Sequence, residues 1–250
     1  MNALMKTLLL AATALVGISA SQLRAGDAWE LSVTGGWRQL GAKLQTQGTH
    51  SFDTTPLNTS SKSTVFYPGI DLRRDLGQAA GAMWRLGIGY NYSKESWDTG
   101  EHVAGEKEDV PGGEIYTLDI TNFDVKSHQI TLMLDAAWKL GNSWEVGLRA
   151  GPTLTFFDGT FTGSHESFQE VSEGNGQYLG GRQRAESGTK VAGGVSGEVF
   201  VRYNVPSTKV FLEVRGGGAW TSDVKFGDSA ISAKANATSW TAGVAVGLKF

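Results

Sequence analysis

Cysteine is absent from all 250 residues, so disulfides and thiolate chemistry are excluded. Proline is scarce, 5 residues against 34 glycines, a balance that favours strands and turns over a disordered proline-rich chain. Beyond the first residues no apolar run reaches the length of about 18 that a membrane helix needs. Charge of one sign is not in excess: the net charge is -3, which points away from a nucleic-acid partner. Familiar site patterns are missing as well. Gly87-x-Gly89 has no following helix and is no nucleotide fingerprint.

What is present begins with a leader. Lys6 precedes an apolar run, Thr7 to Ile18, that is too short to span a bilayer, and small residues follow. Residues 1–25 read as a secretory signal peptide cut after Ala25, with Ala20 as the alternative site; an uncleaved anchor is the competing reading. Cleavage after Ala25 removes Lys6 and Arg24 and takes the net charge to roughly -5. Residues 26–250 are the length of one β-barrel domain.

The chain ends in an alternating segment. Trp240, Ala242, Val244, Val246 and Leu248 share one face, while Thr241, Gly243, Ala245, Gly247 and Lys249 share the other, and Phe250 is last. One apolar face and one small or polar face suit a strand with lipid outside and a polar lumen inside. Seven further strands follow the same rule. Their apolar faces run through Trp29–Trp37, Phe66–Leu72, Trp84–Tyr92, Ile130–Trp138, Trp144–Phe156, Val195–Tyr203 and Val210–Trp220. The links alternate in length: short near 74–82, 140–143 and 204–208, long near 41–63, 94–122, 158–189 and 221–238. The expected fold is all-β, an eight-stranded antiparallel up-and-down transmembrane barrel with its long loops on one side.

Of the 8 tryptophans, all but Trp97 fall on the apolar face. Trp97 is expected in a loop. Trp29, Trp84, Trp138, Trp144 and Tyr203 mark one end of the strands, and Trp37, Tyr92, Trp220 and Trp240 the other. Trp29 and Trp37 are about 26 Å apart along a strand, or roughly 20 Å of depth at a tilt of about 40°, near the height of a barrel's apolar band. Two aromatic girdles follow. A soluble lipocalin-type barrel would explain the alternation, but not the sorting of tryptophans to strand ends.

The polar face carries a near-balanced set of charges: Glu30, Asp71, Asp135, Glu145, Glu198 and Glu213 with Arg38, Arg73, Arg85, Lys139, Arg149, Arg202, Arg215 and Lys249. Register set from the short turns pairs Asp135 with Arg149, Lys139 with Glu145 and Glu198 with Arg215, and brings Asp71 near Arg85. An eight-stranded barrel is just wide enough to be filled by side chains, so these charges are expected to plug it.

The stretch 94–122 is acidic but lacks EF-hand spacing, so no metal site is expected. A solvated loop is its plain reading, and a cation-assisted contact with lipopolysaccharide or a basic partner is the sharper one. The strands on either side of 94–122 are expected to project above the membrane as a sheet with an exposed edge that can pair with a foreign strand. The histidines are His50, His102, His128 and His165, and Ser127 and His128 point to opposite faces of a strand. That pair is not a nucleophile and its base, and no catalytic residue or cofactor is expected.

The terminal Phe250, the girdles and the loop asymmetry resemble the OmpA/OmpX class of eight-stranded outer-membrane barrels over about residues 27–250. The resemblance implies the outer membrane of a Gram-negative envelope, Phe250 as an assembly signal read by the barrel-assembly machinery, and contact with membrane lipid and lipopolysaccharide. It also implies a monomer whose long loops meet an unidentified extracellular ligand. No peptidoglycan-binding domain is expected after the last strand, so a tethering role is not implied. The expected role is non-enzymatic, surface binding, adhesion or envelope integrity. The alternatives are a narrow channel for ions or small apolar solutes, and a lipid-modifying enzyme; one His-x-Ser spacing occurs in the chain, His165 and Ser167.

Overall fold

The computed structural model describes residues 28–46, 58–104, 109–110, 113–172, 175–229 and 231–250, so the expected signal peptide lies outside the described residues. The strands are β1 (Trp29–Thr46), β2 (Asn58–Ala79), β3 (Ala82–Ala104), β4 (Asp109–Val110), β5 (Gly113–Leu140), β6 (Trp144–Ser172), β7 (Asn175–Asn204), β8 (Val210–Thr221), β9 (Val224–Gly227), β10 (Ile231–Asn236) and β11 (Ser239–Lys249). Eight of them close a ring in the order β1, β2, β3, β5, β6, β7, β8, β11 and back to β1, every pair antiparallel. The last rung joins the chain's end to its first strand: Phe250 N donates to Trp29 O (2.9 Å) and Trp29 N to Phe250 O (3.0 Å). Closure leaves the barrel wall no free edge.

Sharp turns hold the short-link end together. Ala80 and Gly81 both have positive φ, 52° and 75°, the backbone of a two-residue hairpin whose twist matches that of the strands it joins. β2 and β3 therefore meet in tight register, Ala79 opposite Ala82.

Around the wall, outward side chains are apolar and exposed, among them Val33, Ile70, Leu132, Leu148, Val199, Val214 and Val244. Water would not tolerate a continuous belt of this kind; lipid requires it. Inward lie fully buried charges, Glu30, Arg73, Arg202 and Glu213 among them.

Above the outer aromatic ring the alternation continues, but its chemistry is exchanged. On β1 the inward positions change from Glu30, Ser32, Thr34 and Arg38 to Leu40, Ala42 and Leu44, and the outward ones from Val33 and Trp37 to Gln39 and Lys43. On β5, inward Asp135, Thr131 and Ser127 give way to Val125 and Phe123, while outward Leu134 and Leu132 give way to Lys126 and Asp124. On β6, inward Arg149 and Thr155 give way to Phe157 and Phe161. Where the wall leaves lipid for water, the outward residues must become polar, and the interior is then free to be apolar.

The upper strands also change partners. β2 and β3 pair only up to Gly69 opposite Asn91, and β7 and β8 only up to Gly194 opposite Thr221. Two sheets result, β2–β1–β10–β9 and β3–β5–β6–β7. They pack through one apolar core that includes Leu40, Val65, Trp97, Phe123, Phe161, Phe226 and Ile231.

The expected loops are thus largely strand. Among the described residues, 94–104 and 113–122 extend β3 and β5, 158–172 and 175–189 extend β6 and β7, and β9 and β10 pair within 221–238. Trp97 is corrected from a loop residue to a buried β3 residue stacked on Phe123, ring centroids 5.7 Å apart. These segments alternate in the opposite phase to the membrane strands, so a rule that demands apolar residues outward passes over them.

Candidate functional site

The lumen is filled by charge in successive layers. Nearest the short-turn mouth, Glu30 lies between Arg202 (2.8 Å), Arg85 (3.4 Å), Arg73 (3.6 Å) and Lys249 (3.6 Å). Arg85 also reaches Glu145 (2.8 Å) and Asp75 (2.9 Å). Above this, Glu213 accepts from Arg202 (2.7 Å), Arg73 (3.1 Å) and Arg149 (3.1 Å), and Arg149 Nε donates to Asp135 (2.9 Å). In the next layer Arg215 donates to Asp71 (2.8 Å), and Glu198 lies 3.3 Å from Arg149 and 3.9 Å from Arg215.

Two inward phenylalanines brace the guanidinium groups. Arg202 lies 4.2 Å above the Phe211 ring, and Arg149 lies 5.0 Å above Phe200. Both rings need glycine opposite them: a Cβ at Gly247 would strike Phe211, and one at Gly147 would strike Phe200.

Several expected pairs are rearranged. Asp135 and Arg149 meet as expected from register. Asp71 binds Arg215 instead of Arg85, because inward side chains cross the lumen as readily as they follow a hairpin. Lys139 stands opposite Glu145 in register but is exposed at the mouth and forms no ion pair among the described residues, leaving Glu145 to Arg85 and Arg202. Arg73 reaches Glu30, Asp135 and Glu213, although its hairpin partner across the short β2–β3 turn is Gly87, which carries no charge.

Arg38 stands apart from the expected network. Its Nη1 donates to Gln129 Oε1 (2.9 Å) and its Nη2 to the hydroxyls of Ser93 and Ser127, all uncharged. Among the described residues no carboxylate lies within ion-pair distance of it. Between Arg38 and the Asp71–Arg215 layer is a cavity of about 30 Å³, also lined by Tyr67 and Glu198, room for about one or two waters. Above Arg38 begins the apolar core, where Phe123, Phe157, Phe161 and Phe226 have no solvent exposure.

The girdle residues lie on the outward face. Trp37, Trp138, Trp144, Trp220 and Trp240 are exposed, and Trp29, Trp84, Tyr92 and Tyr203 are half-buried. Trp144 and Tyr203 are in ring contact at 4.9 Å at one end, and Tyr92 and His128 at 5.2 Å at the other. The Tyr90 hydroxyl lies 2.8 Å from His128 Nδ1 on the outward face. Among the described residues no group of three or more acids or histidines could hold a metal ion.

A closed ring of eight antiparallel strands, apolar outside and ionic inside, with aromatic residues at both ends of the belt, defines an eight-stranded outer-membrane β-barrel. No family model and no curated protein matches the sequence. Among solved structures, the attachment invasion locus protein Ail of Yersinia pestis, in complex with a heparin analogue, is similar at 11% identity and TM-score 0.32, over 89% of this chain and 99% of that one. Neisserial surface protein A is similar at 13% identity and TM-score 0.35, over 90% of this chain and 99% of that one. The outer membrane protease OmpT of Escherichia coli is similar at 10% identity and TM-score 0.45, over 90% of this chain and 98% of that one. At such distances no functional residue transfers, and the fold rests on the strand ring itself.

Proposed function

We propose that this protein is a sealed barrel whose external β-structure serves surface binding or envelope integrity, with neither catalysis nor conduction. One observation carries the reading: the interior is blocked twice in series, by the ionic layers within the membrane and by the apolar core above them. Buried ions held by two or more partners are costly to separate, and an apolar core offers nothing to solvate a passing ion.

The external sheets offer a surface. Above Pro68 and Asn91 the facing edges of β2 and β3 have no strand partner among the described residues, and such edges accept an extended peptide. Lys62 on β2 and Lys94 on β3 stand beside those edges, as charges do where unwanted pairing must be limited.

Single-channel recording on residues 26–250 refolded into a planar bilayer tests the seal. A preparation shown to be folded should give no steps at low or high salt. Reproducible steps that change with Glu198→Gln or Arg215→Gln would make the protein a pore and overturn the proposal.

A further inference from the structure

Three lysines stand in one row on the outward face of the external sheet. Lys43 on β1 is directly opposite Lys234 on β10, which is directly opposite Lys225 on β9. Antiparallel partners point to the same side, and the inward positions beside them, Ala42, Leu44, Val224, Phe226, Ala233 and Ala235, are buried. With strands about 4.8 Å apart, three ammonium groups share a band about 10 Å wide. Lys62, exposed on β2, is diagonal to Lys43, since its own partner is Gly41. Like charges placed directly opposite are destabilising.

Among the described residues no carboxylate pairs with the row. None of the four lysines forms an ion pair there. Beside the lysines the face carries Gln39, Gln45, Ser60, Thr64 and Asn236, with one carboxylate, Asp223, at its edge. The nearest acids in sequence flank β9 and are engaged: Asp223 accepts from Asn236 Nδ2 (3.0 Å), and Asp228 Oδ1 accepts from Ile231 N (2.9 Å). A protein of net charge -3 thus concentrates unpaired positive charge on one outer wall.

The position of that wall selects the occupant. Lys43 is on the same face of β1 as Val33 and Trp37, which face lipid. Six residues separate Trp37 from Lys43, about 20 Å along the strand, so the row stands about 15 Å above the aromatic ring at a tilt of about 40°. The aromatic ring marks the headgroup level, so the row looks sideways, along the membrane plane, at the height of the saccharides carried above those headgroups. We propose that the Lys43–Lys234–Lys225 row, with Lys62, binds the phosphate and carboxylate groups of the core saccharide of a lipopolysaccharide molecule in the same leaflet. The inference rests on the outer-membrane placement and not on the sealed lumen.

The test compares the parent with Lys43→Gln/Lys225→Gln/Lys234→Gln in detergent, titrated with lipopolysaccharide bearing its phosphorylated core and with lipid A lacking the core. The readout is the rise in melting temperature. Each lysine near an anionic surface is worth about fivefold in affinity, so the triple variant should bind core-bearing lipopolysaccharide roughly a hundredfold more weakly. Lipid A should bind both proteins alike. Glu at the centre of the row, Lys234→Glu, should fold at least as well as the parent and bind core-bearing lipopolysaccharide more weakly, which keeps the test open should the triple variant not fold. Equal affinity of parent and variants for core-bearing lipopolysaccharide would overturn the proposal. So would lysine-dependent binding of a soluble sulfated polysaccharide with none of lipopolysaccharide. Conductance steps would sink the sealed-lumen reading and leave this result standing, since the row lies outside the lumen.

Discussion

Arg215 and Arg38 are both buried inward arginines, and the structure predicts opposite consequences for replacing them with methionine. Arg215 is the one ionic partner Asp71 has among the described residues, at 2.8 Å; the Ser32 hydroxyl also donates to that carboxylate, at 3.5 Å. Asp71 is 1% exposed, so Arg215→Met strands a charge away from water. Breaking a buried pair in this way costs about 3–5 kcal/mol. For a chain of this size, where 1 kcal/mol moves the midpoint by about 2–4 °C, the fall is roughly 6–20 °C. Arg38→Met removes a cation that has only neutral partners and puts an apolar side chain beneath an apolar core. Each lost hydrogen bond costs about 1 kcal/mol. Relief of an uncompensated buried charge returns several kcal/mol, so the net change is expected within about 1 kcal/mol and the midpoint within about 4 °C. Both variants would be melted in the same detergent, following circular dichroism and the heat-dependent shift in electrophoretic mobility. Equal losses for the two would refute the separation of Arg38 from the ionic layers.

Two further outcomes concern the external layer. Lys190, 2.7 Å from Glu186, and the Gly227 amide, which donates to it at 2.7 Å, hold the Glu186 carboxyl below its ordinary value of 4.5. The clasp between β7 and β9 is therefore complete above about pH 4.5 and is lost as pH falls through the lowered value, so exchange of the Gly227 amide should quicken in acid. Glu186→Gln should abolish that acid step, and an unchanged step would assign it to another group. Phe123→Ala should cost about 3–5 kcal/mol in the external core. Its effect should appear as faster amide exchange above Ser127 on β5 with little change below; a uniform change along β5 would show that the two layers do not open separately.

The membrane part of this fold was legible because its alternation is strict. Leu31, Val33 and Trp37 face one way and Glu30, Ser32 and Arg38 the other, and the aromatic residues fall where the belt ends. The external part obeys the same period with the faces exchanged, as in Leu40-Gly-Ala-Lys-Leu44 and Phe157-Asp-Gly-Thr-Phe161. A reader who fixes the outward face as apolar sees a broken pattern there and assigns loops. The point at which the phase changes is itself the signal, and it marks the outer edge of the bilayer on each strand. The ionic pairs were less legible. Hairpin register finds Asp135 with Arg149, which are near in sequence, but says nothing about Asp71 and Arg215, 144 residues apart and joined only by closure of the ring. Arg73 is central for the same reason, drawing its partners from β1, β5 and β8.

The exchange of faces bears directly on transport. A barrel plugged by charge alone could still pass ions if its pairs traded partners, because Glu213 already has three guanidinium groups within 3.1 Å and could release any one of them. A barrel closed by an apolar core alone could still admit small apolar solutes through side-chain motion. On the proposed reading, the layers in series each block what the other alone would let through: the ionic layers give an apolar solute no favourable site, and the core around Phe123, Phe157 and Phe226 strips an ion of every polar contact. Arg38 sits at the boundary, its two Nη atoms bonded to neutral oxygens and Leu40 the next inward residue on β1, so among the described residues no continuous path of charged groups leads from the lower mouth to the outer surface. Exclusion of both solute classes by one interior is what favours a binding or structural role over a channel.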